Sequence, residues 1–318
     1  MRSLKQFYIL YYDQRVIVDF IECYRKAGRI ACSVRDLAKK KEYVGKTLYE
    51  ICEKIEKEII ENGGFPAFPV NVSLNEIAAH YTAEPDDQKI VGEEDVLKID
   101  IGVHVDGYIA DTAITISYNN EYHSLVKASE NALKEALKVA KNRAKSSEIG
   151  KAIENSIIKS GYIPIKNLSG HSLERYTIHA GKSIPNINSF GSFLLEPDHA
   201  YAIEPFVTLK NGIGIVHEGK IANIFAIISR KPTKNEELDH FLNHIWGRYK
   251  SLPFALRWVL GNYDEKNARY LLDNLKKKKN IHAYPTLVEG KNMMVAQSEH
   301  TIIPHETFTE VITSCNNN

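Results

Sequence analysis

The strongest constraint on the fold is a pair of strand-like segments joined by Asp106-Gly107. Residues 96–105 and 108–118 are rich in Ile, Val and Thr, which are residue types enriched in β-strands. Asp-Gly is typical of the two-residue type I′ turn that closes a β-hairpin. The sequence therefore predicts an antiparallel hairpin, which favours a fold built on antiparallel sheet.

A turn at this position also fixes which residues lie opposite each other. It pairs Asp100 with Ala113 and Gly102 with Asp111, so the two aspartates share one face as diagonal neighbours, roughly 7–8 Å apart between Cα atoms. Most residues around them are Ile, Val and Ala, where a carboxylate is costly unless it is paired or bound to metal. For either aspartate alone, a solvated sheet face is the simpler interpretation.

Helical patterns flank the hairpin. Residues 25–61 predict two helices with a break near Val44-Gly45, and the second has a capping box at Thr47 and Glu50. Apolar stripes predict a second pair of helices, and further segments rich in β-formers predict strands. These helices fall at residues 125–140 and 149–158, the strands at 200–209, 213–228 and 292–303, and a helical segment that interrupts the sheet at 234–279.

The composition is that of an ordinary globular chain. Of 318 residues, 43% are hydrophobic and 25% are charged, with a net charge of +1, which excludes a disordered chain and gives no electrostatic reason to expect nucleic-acid binding. We interpret the run Lys276–Lys279 as a solvated helix end. No apolar segment is long enough to cross a membrane or to act as a secretory signal, so we expect a cytoplasmic protein without a membrane partner.

Four cysteines are scattered along the chain without a CxxC spacing: Cys23, Cys32, Cys52 and Cys315. In a reducing compartment this distribution favours free thiols over disulfides or a zinc site. We therefore expect all four to be unpaired.

Further acidic and imidazole side chains occur on strand-like apolar segments, namely Glu204, Glu299, His171 and His179. The two histidines are eight residues apart, so they share a side if the chain between them is a regular strand. A lone histidine on such a segment is more often a core residue than a ligand. Taken together, however, two Asp, two Glu and one His match an oxygen-rich site for Mn, Fe, Co or Zn. Four carboxylates balance two divalent ions, which could hold a nucleophilic hydroxide at neutral pH.

Six sequence blocks occur in an order that resembles the methionine aminopeptidase family: residues 68–82, 98–113, 167–171, 178–181, 202–206 and 297–301. The resemblance extends from about residue 25 to the C-terminus. The helical segment between Glu204 and Glu299 resembles that of the type 2 enzymes, in their short archaeal form. The resemblance implies an α+β, pita-bread (creatinase/aminopeptidase) fold, with two pseudo-symmetric antiparallel sheet halves backed by helices and a helical insertion.

The resemblance also implies roles for individual residues. The metal ligands would be Asp100, Asp111, His171, Glu204 and Glu299, with Asp111 and Glu299 bridging two ions. His80 and His179 would hold the substrate and the tetrahedral intermediate, and Glu204 would also carry a proton to the leaving amine. Phe68 and Ile178 would form walls of a methionine pocket, helped by the insertion near Pro253-Phe254. His104, His217, His282, His300 and His305 match no ligand position.

The implied activity is removal of the N-terminal methionine from peptides and nascent chains by a metal-activated hydroxide, with a preference for a small second residue. The ribosome, from which nascent chains emerge, is a further candidate partner, whereas sequence-specific nucleic acid is not expected. Two alternatives remain open: an Xaa-Pro peptidase of the same fold, and a catalytically inactive binding module for RNA, the ribosome or a partner protein. We expect an extension at residues 1–24, a catalytic domain at 25–233 and 280–318, and an insertion at 234–279.

Overall fold

The computed structural model describes residues 19–290 and 293–315, in which helices alternate with antiparallel strands. The helices are α1 (Phe20–Lys39), α2 (Leu48–Glu61), α3 (His123–Val139), α4 (Ser146–Lys159), α5 (Glu236–Tyr249), α6 (Leu256–Val259) and α7 (Glu265–Lys277). The strands are β1 (Phe65–Pro66), β2 (Asn71–Leu74), β3 (Ile77–Ala79), β4 (Val96–Val105), β5 (Tyr108–Ser117), β6 (Ile163–Pro164), β7 (Ser169–Leu173), β8 (Ser183–Pro185), β9 (Ala200–Ile203), β10 (Phe206–Thr208), β11 (Val216–Glu218), β12 (Ile224–Ile227), β13 (Phe254–Ala255), β14 (Ile281–Tyr284), β15 (Leu287–Glu289), β16 (Val295–Gln297), β17 (His300–Pro304) and β18 (Thr309–Val311).

The predicted hairpin is present with the predicted register. β4 and β5 pair antiparallel along their length, with Asp100 opposite Ala113 and Gly102 opposite Asp111. Asp106 and Gly107 both have positive φ, at 50° and 85°, as a type I′ turn requires. The hairpin and its pairing are therefore confirmed.

The first helix begins earlier than the sequence pattern indicated. Asp19 caps α1 by accepting hydrogen bonds from the backbone N–H groups of Ile21 and Glu22. Tyr24 is buried in the core, and its hydroxyl donates to the carbonyl of Leu173. Residues just before position 25 thus pack with the body of the protein, while the division of the chain into three parts stays a prediction.

Two helix-backed sheets form the body of the fold. In the first, β5 pairs with one edge of β4, and β1 and β2 pair with successive parts of its other edge. The apolar faces of α1 and α2 share a core with β4 residues such as Ile99 and Ile101. In the second, five strands run in the order β18-β17-β9-β7-β8, and α3 and α4 bury residues such as Leu125 and Ile149 against Tyr201. Each sheet needs its helix pair to bury one face, which makes the architecture α+β.

The segment at 234–279 is largely helical, as predicted, and has a core of its own around Phe241, Leu271 and Phe254. It also contributes the short strand β13, which pairs with β12 through Ile224 and Ala255. The four lysines at 276–279 are exposed at the end of α7, in agreement with a solvated helix end.

The expectation of four free thiols is wrong for one pair. Cys32 on α1 and Cys315 form a disulfide, with Cα atoms 5.7 Å apart, while Cys23 and Cys52 are free. The partners are 283 residues apart, so only the tertiary fold brings them together.

The described part of the chain excludes residues 1–18, 291–292 and 316–318. Most of the expected N-terminal extension and the first residue of the strand predicted at 292–303 therefore lie outside the described residues. No described helix is long and apolar enough to cross a membrane.

Candidate metal centre

The five proposed ligands line one cavity between the two sheets. Asp100 lies on β4, Asp111 on β5 and His171 on β7, while Glu204 follows β9 and Glu299 lies between β16 and β17. Ligand atoms of Asp111, His171 and Glu299 all lie within 4.8 Å of one another. His171 Nε2 is 3.5 Å from a Glu204 oxygen and 3.8 Å from an Asp111 oxygen.

Gln297 provides a neutral donor among these carboxylates. Its side-chain Nε2 lies 3.4 Å from Asp100 Oδ2 and 3.5 Å from oxygens of Glu204 and Glu299. The residue is buried, and a neutral amide can orient carboxylates without cancelling their charge. The sequence reasoning did not identify this residue, although it stands two positions before Glu299.

Burial places these carboxylates in an environment that disfavours their charge. Burial raises the pKa of Asp100 to about 7. Burial and the neighbouring carboxylates together raise the pKa of Asp111, Glu204 and Glu299 well above the usual range. Four acidic groups that resist ionising together are stabilised when cations occupy the space between them.

Buried atoms without hydrogen-bond partners test whether a metal fits this site. Within the described residues, Asp100 Oδ1 and Asp111 Oδ1 have no partner, and His171 Nε2 is the ring nitrogen that faces oxygens of Asp111 and Glu204. Burial, with His179 nearby, lowers the pKa of His171 to about 3, so its ring is neutral near pH 7. Neutral imidazole and unpaired carboxylate oxygens are donors suited to divalent transition metals. The residues present therefore fit a metal centre.

His171 and His179 lie close together, with ring centroids 4.5 Å apart. The sequence placed them on one side only if the chain between them were a regular strand, and that condition is not met. β7 ends at Leu173, the chain turns where Glu174 bridges to Thr177, and the N–H of Ala180 donates to the carbonyl of Ser172. A hairpin-like turn, and not strand periodicity, places the two rings side by side.

His80 has an unusual backbone conformation for a non-glycine residue, with φ at 64°. Its Nδ1 lies 3.3 Å from the carbonyl oxygen of Pro285, and its ring packs edge-on against Tyr284. Burial lowers the pKa of His80 to about 4. A strained backbone at a cavity wall often serves to fix a functional side chain.

Apolar side chains form another part of the cavity wall. Phe68, Ile178 and Pro253 are part of this wall, while their role in a methionine pocket stays a prediction. A Cβ on Gly102 would lie 2.2 Å from the Phe68 ring, so this glycine makes room for the ring. Phe254, also expected at the cavity, is fully buried instead and stacks on Tyr249 inside the insertion.

Four lining residues were missed: Asn71, Ala79, Ile224 and Tyr284. Asn71 lies opposite Asp100 across β2 and β4, and Ile224 lies opposite Tyr284 across β12 and β14. These pairings join distant parts of the chain, and no local pattern indicates them. The five histidines that match no ligand position do not line the cavity.

Sequence comparison identifies close relatives over nearly the whole chain. It is 45% identical over 289 residues to a methionine aminopeptidase of Pyrococcus horikoshii, covering 91% of this chain and 97% of the relative. It is 44% identical over 296 residues to a methionine aminopeptidase of Methanocaldococcus jannaschii, covering 92% and 99% of the two chains.

Structural comparison gives the same fold at low identity. A thermophilic Arx1 structure superposes with a TM-score of 0.79 at 18% identity, covering 93% of this chain and 91% of the other. A methionine aminopeptidase from Thermotoga maritima gives a TM-score of 0.67 at 19% identity, covering 93% and 97%. The expected pita-bread α+β fold is thereby confirmed. The profile of metallopeptidase family M24 matches residues 22–225, and this chain belongs to that family.

Proposed function

We propose that this chain is a methionine aminopeptidase, which removes the N-terminal methionine from peptides and nascent proteins. The activity is supported by the identity of about 45% to methionine aminopeptidases over nine-tenths of the chain. The observation that carries it is one cavity in which five candidate metal ligands meet apolar side chains. Such a cavity can hold a hydrolytic centre and an apolar side chain at once.

Membership of the family implies that the enzyme uses metal ions. We infer that the enzyme uses two divalent ions, drawn from Co, Mn, Fe or Zn, which Asp100, Asp111, His171, Glu204 and Glu299 would hold, with Asp111 and Glu299 as the ligands that the two ions would share. The four buried carboxylates support this number, since two divalent cations balance four negative charges. When bound, the ions supply Lewis acidity and lower the pKa of a water molecule, so that it becomes a nucleophile near neutral pH.

The protein groups around the scissile bond orient it and move protons. Glu204, at the cavity wall, takes a proton from the attacking water and delivers it to the leaving amine. His80 is neutral, because burial lowers its pKa to about 4. Its Nδ1–H donates to the Pro285 carbonyl, which can only accept, and Nε2 is left as an acceptor for a substrate N–H. His179 supplies a hydrogen bond to the oxygen on which charge develops.

The apolar end of the cavity recognises the methionine side chain. Phe68 and Ile178 form its walls, and Pro253 closes it from the insertion. Apolar pockets discriminate by shape, so we expect a norleucine peptide to be cleaved within roughly two orders of magnitude of the methionine peptide. The preference for a small second residue, the ribosome as a partner and a cytoplasmic location belong to the same proposal, as does the division into residues 1–24, 25–233 with 280–318, and 234–279.

The test is cleavage of Met-Ala-Ser beside an acetylated copy and an Xaa-Pro peptide, before and after chelation and with each metal added back. We expect cleavage of the free methionine peptide only, lost on chelation and restored by metal. Equal cleavage of the acetylated peptide, or preference for Xaa-Pro, would overturn the proposal. Full metal loading without any cleavage would favour a binding module instead.

A further inference from the structure

Two segments of the chain reach the buried carboxylate of Glu56 on α2. Its oxygens accept hydrogen bonds from the backbone N–H of Val70 at 3.0 Å, from Trp258 Nε1 at 2.8 Å and from both terminal nitrogens of Arg257. The Glu56 and Arg257 side chains are 7% and 2% exposed. This is a bidentate ion pair inside the protein, joining the insertion to the body.

The same guanidinium reaches a third segment. Arg257 Nη2 donates to Thr82 Oγ1 at 3.0 Å, and the Thr82 hydroxyl donates to the carbonyl of Val70 at 2.9 Å. The Cys52 thiol on α2 also donates to that carbonyl, at 3.4 Å. Both backbone polar groups of Val70 are therefore fixed by side chains of this cluster.

Each segment held by the cluster also carries a wall of the cavity. Phe68 lies two residues before Val70, His80 lies two residues before Thr82, and Pro253 lies four residues before Arg257. A shift of the cluster would move these three walls relative to one another. The carboxylates on β4 and β5 lie outside it, since the register of the hairpin fixes them.

Stabilisation of the fold does not by itself explain a buried Glu56–Arg257 ion pair. Burying two charges costs several kcal/mol of desolvation, and apolar replacements of buried pairs are often neutral or stabilising. What the pair provides is geometry, because the planar guanidinium fixes two carboxylate oxygens and a hydroxyl at once. A lysine ammonium lacks this planar set of N–H donors and cannot make the same contacts at once.

We propose that the Glu56–Arg257 pair is a positioning pair that sets the width of the methionine pocket, by fixing Phe68, His80 and Pro253 relative to one another. Neither residue touches the substrate. The effect on methionine recognition rests on the proposed function. The positioning of Phe68, His80 and Pro253 by the Glu56–Arg257 pair is a structural claim, and it can be tested without measuring activity.

The test compares Arg257→Lys and Glu56→Gln with the wild-type enzyme. For both variants we expect KM for Met-Ala-Ser to rise by about tenfold or more, kcat to change much less, and the preference for methionine over norleucine to shrink. Metal stoichiometry should stay unchanged. Glu56→Gln keeps the shape of the side chain and one acceptor, so it remains informative if Arg257→Lys folds poorly.

Hydrogen exchange provides the readout that does not depend on activity. The Val70 amide should exchange faster in both variants, while amides within the β4–β5 hairpin keep their protection. The matched control is Arg269→Lys, because Arg269 also joins the insertion to the body, through Glu84, in a half-exposed ion pair. This control should leave KM, substrate preference and Val70 exchange unchanged.

The outcomes separate the two proposals. Unchanged substrate preference, or an equal fall of kcat and kcat/KM with Val70 still protected, would overturn the positioning role. A wild-type enzyme without activity on Met-Ala-Ser would overturn the proposed function. Faster exchange of the Val70 amide in the variants would then still support the positioning of this segment by the Glu56–Arg257 pair.

Discussion

The two ends of the cavity are held in place by different kinds of contact. At the acidic end, strand pairing fixes the ligands: Asp100 lies opposite Ala113 in the β4–β5 ladder, and the N–H of Glu299 donates to the carbonyl of the same Ala113 at 3.1 Å. At the apolar end, Phe68 and Pro253 depend on side-chain contacts from α2 and the insertion. We expect residues held by strand pairing to keep their positions when a distant side chain is substituted. Residues held by side-chain contacts should move when the contacting side chain is replaced.

This difference predicts where substitutions act. Changes at the acidic end should abolish metal binding or catalysis without altering which side chain is accepted. Changes at the apolar end should alter affinity and preference and leave the metal in place. The following predictions test that division, in order of decreasing effect.

Asp111→Asn should produce the largest loss. The substitution removes a charge from the proposed bridging position, so we expect metal affinity to fall by more than the roughly 10–100-fold typical of losing an outer-shell partner, together with nearly all activity. Titration with Mn or Co followed by metal analysis measures it. Asp106→Asn is the matched control, because Asp106 is exposed in the turn and Asn-Gly also suits a type I′ turn. Full metal loading of Asp111→Asn would contradict the bridging assignment.

His179→Ala should lower turnover by on the order of 10²- to 10³-fold, as for the removal of one preformed donor to a developing oxyanion. The ligand set is complete without this residue, so metal content should stay close to that of the wild type. Steady-state kinetics and metal analysis on the same preparation measure both. His217→Ala, at an exposed position, serves as the control. If metal content falls in step with activity, His179 is a ligand.

Gly102→Ala should affect the apolar end of the cavity, although Gly102 lies on β4, the same strand as Asp100. The new Cβ would lie 2.2 Å from the Phe68 ring, and such overpacking costs about 1–3 kcal/mol of unfolding free energy. The displaced ring should also raise KM while metal binding persists. Denaturant unfolding and kinetics measure the two effects. Gly247→Ala, where a Cβ meets nothing within 4 Å, should be neutral or stabilising. An unchanged KM would show that the ring is not a pocket wall.

His104→Asn should give the smallest effect, visible only in acid. Burial lowers the pKa of His104 to about 4, with Asp106 opposing the shift, and Nδ1 accepts a hydrogen bond from the N–H of Gly107. Because the folded pKa lies below the unfolded value, the stability it contributes is present above about pH 6.5 and is lost as pH falls towards 4. Discounted for the partly exposed ring, we expect the wild type to lose about 1 kcal/mol more than the variant across that window. Parallel pH-dependent stability curves would refute this.

Local rules explain why part of the structure could be predicted. The type I′ turn at Asp106-Gly107 and the two-residue period of strands decide, without outside contacts, that Asp100 and Asp111 share a face. The capping box at Thr47 and Glu50 likewise starts α2 where expected. For His171, Glu204 and Glu299 the residues gave only weak individual signals, and the resemblance of whole sequence blocks identified them.

Contacts between distant segments could not be predicted in this way. Cys32 meets Cys315, Ile224 lies opposite Tyr284 at the cavity, and Arg257 reaches Glu56 from the insertion. His171 and His179 are adjacent because the chain turns between them, and not because a regular strand joins them.

The sequence by itself determined the hairpin, the helix pairs, the insertion and, through its motif blocks, the family and the acidic end of the cavity. These features depend on neighbours within a few residues or on motifs that survive in order along the chain. Only the tertiary structure decided the disulfide, the position of Gln297 among the carboxylates and the Glu56–Arg257 ion pair. Each depends on how two sheets and an insertion pack, and packing is set by the sum of many weak contacts between segments far apart in sequence.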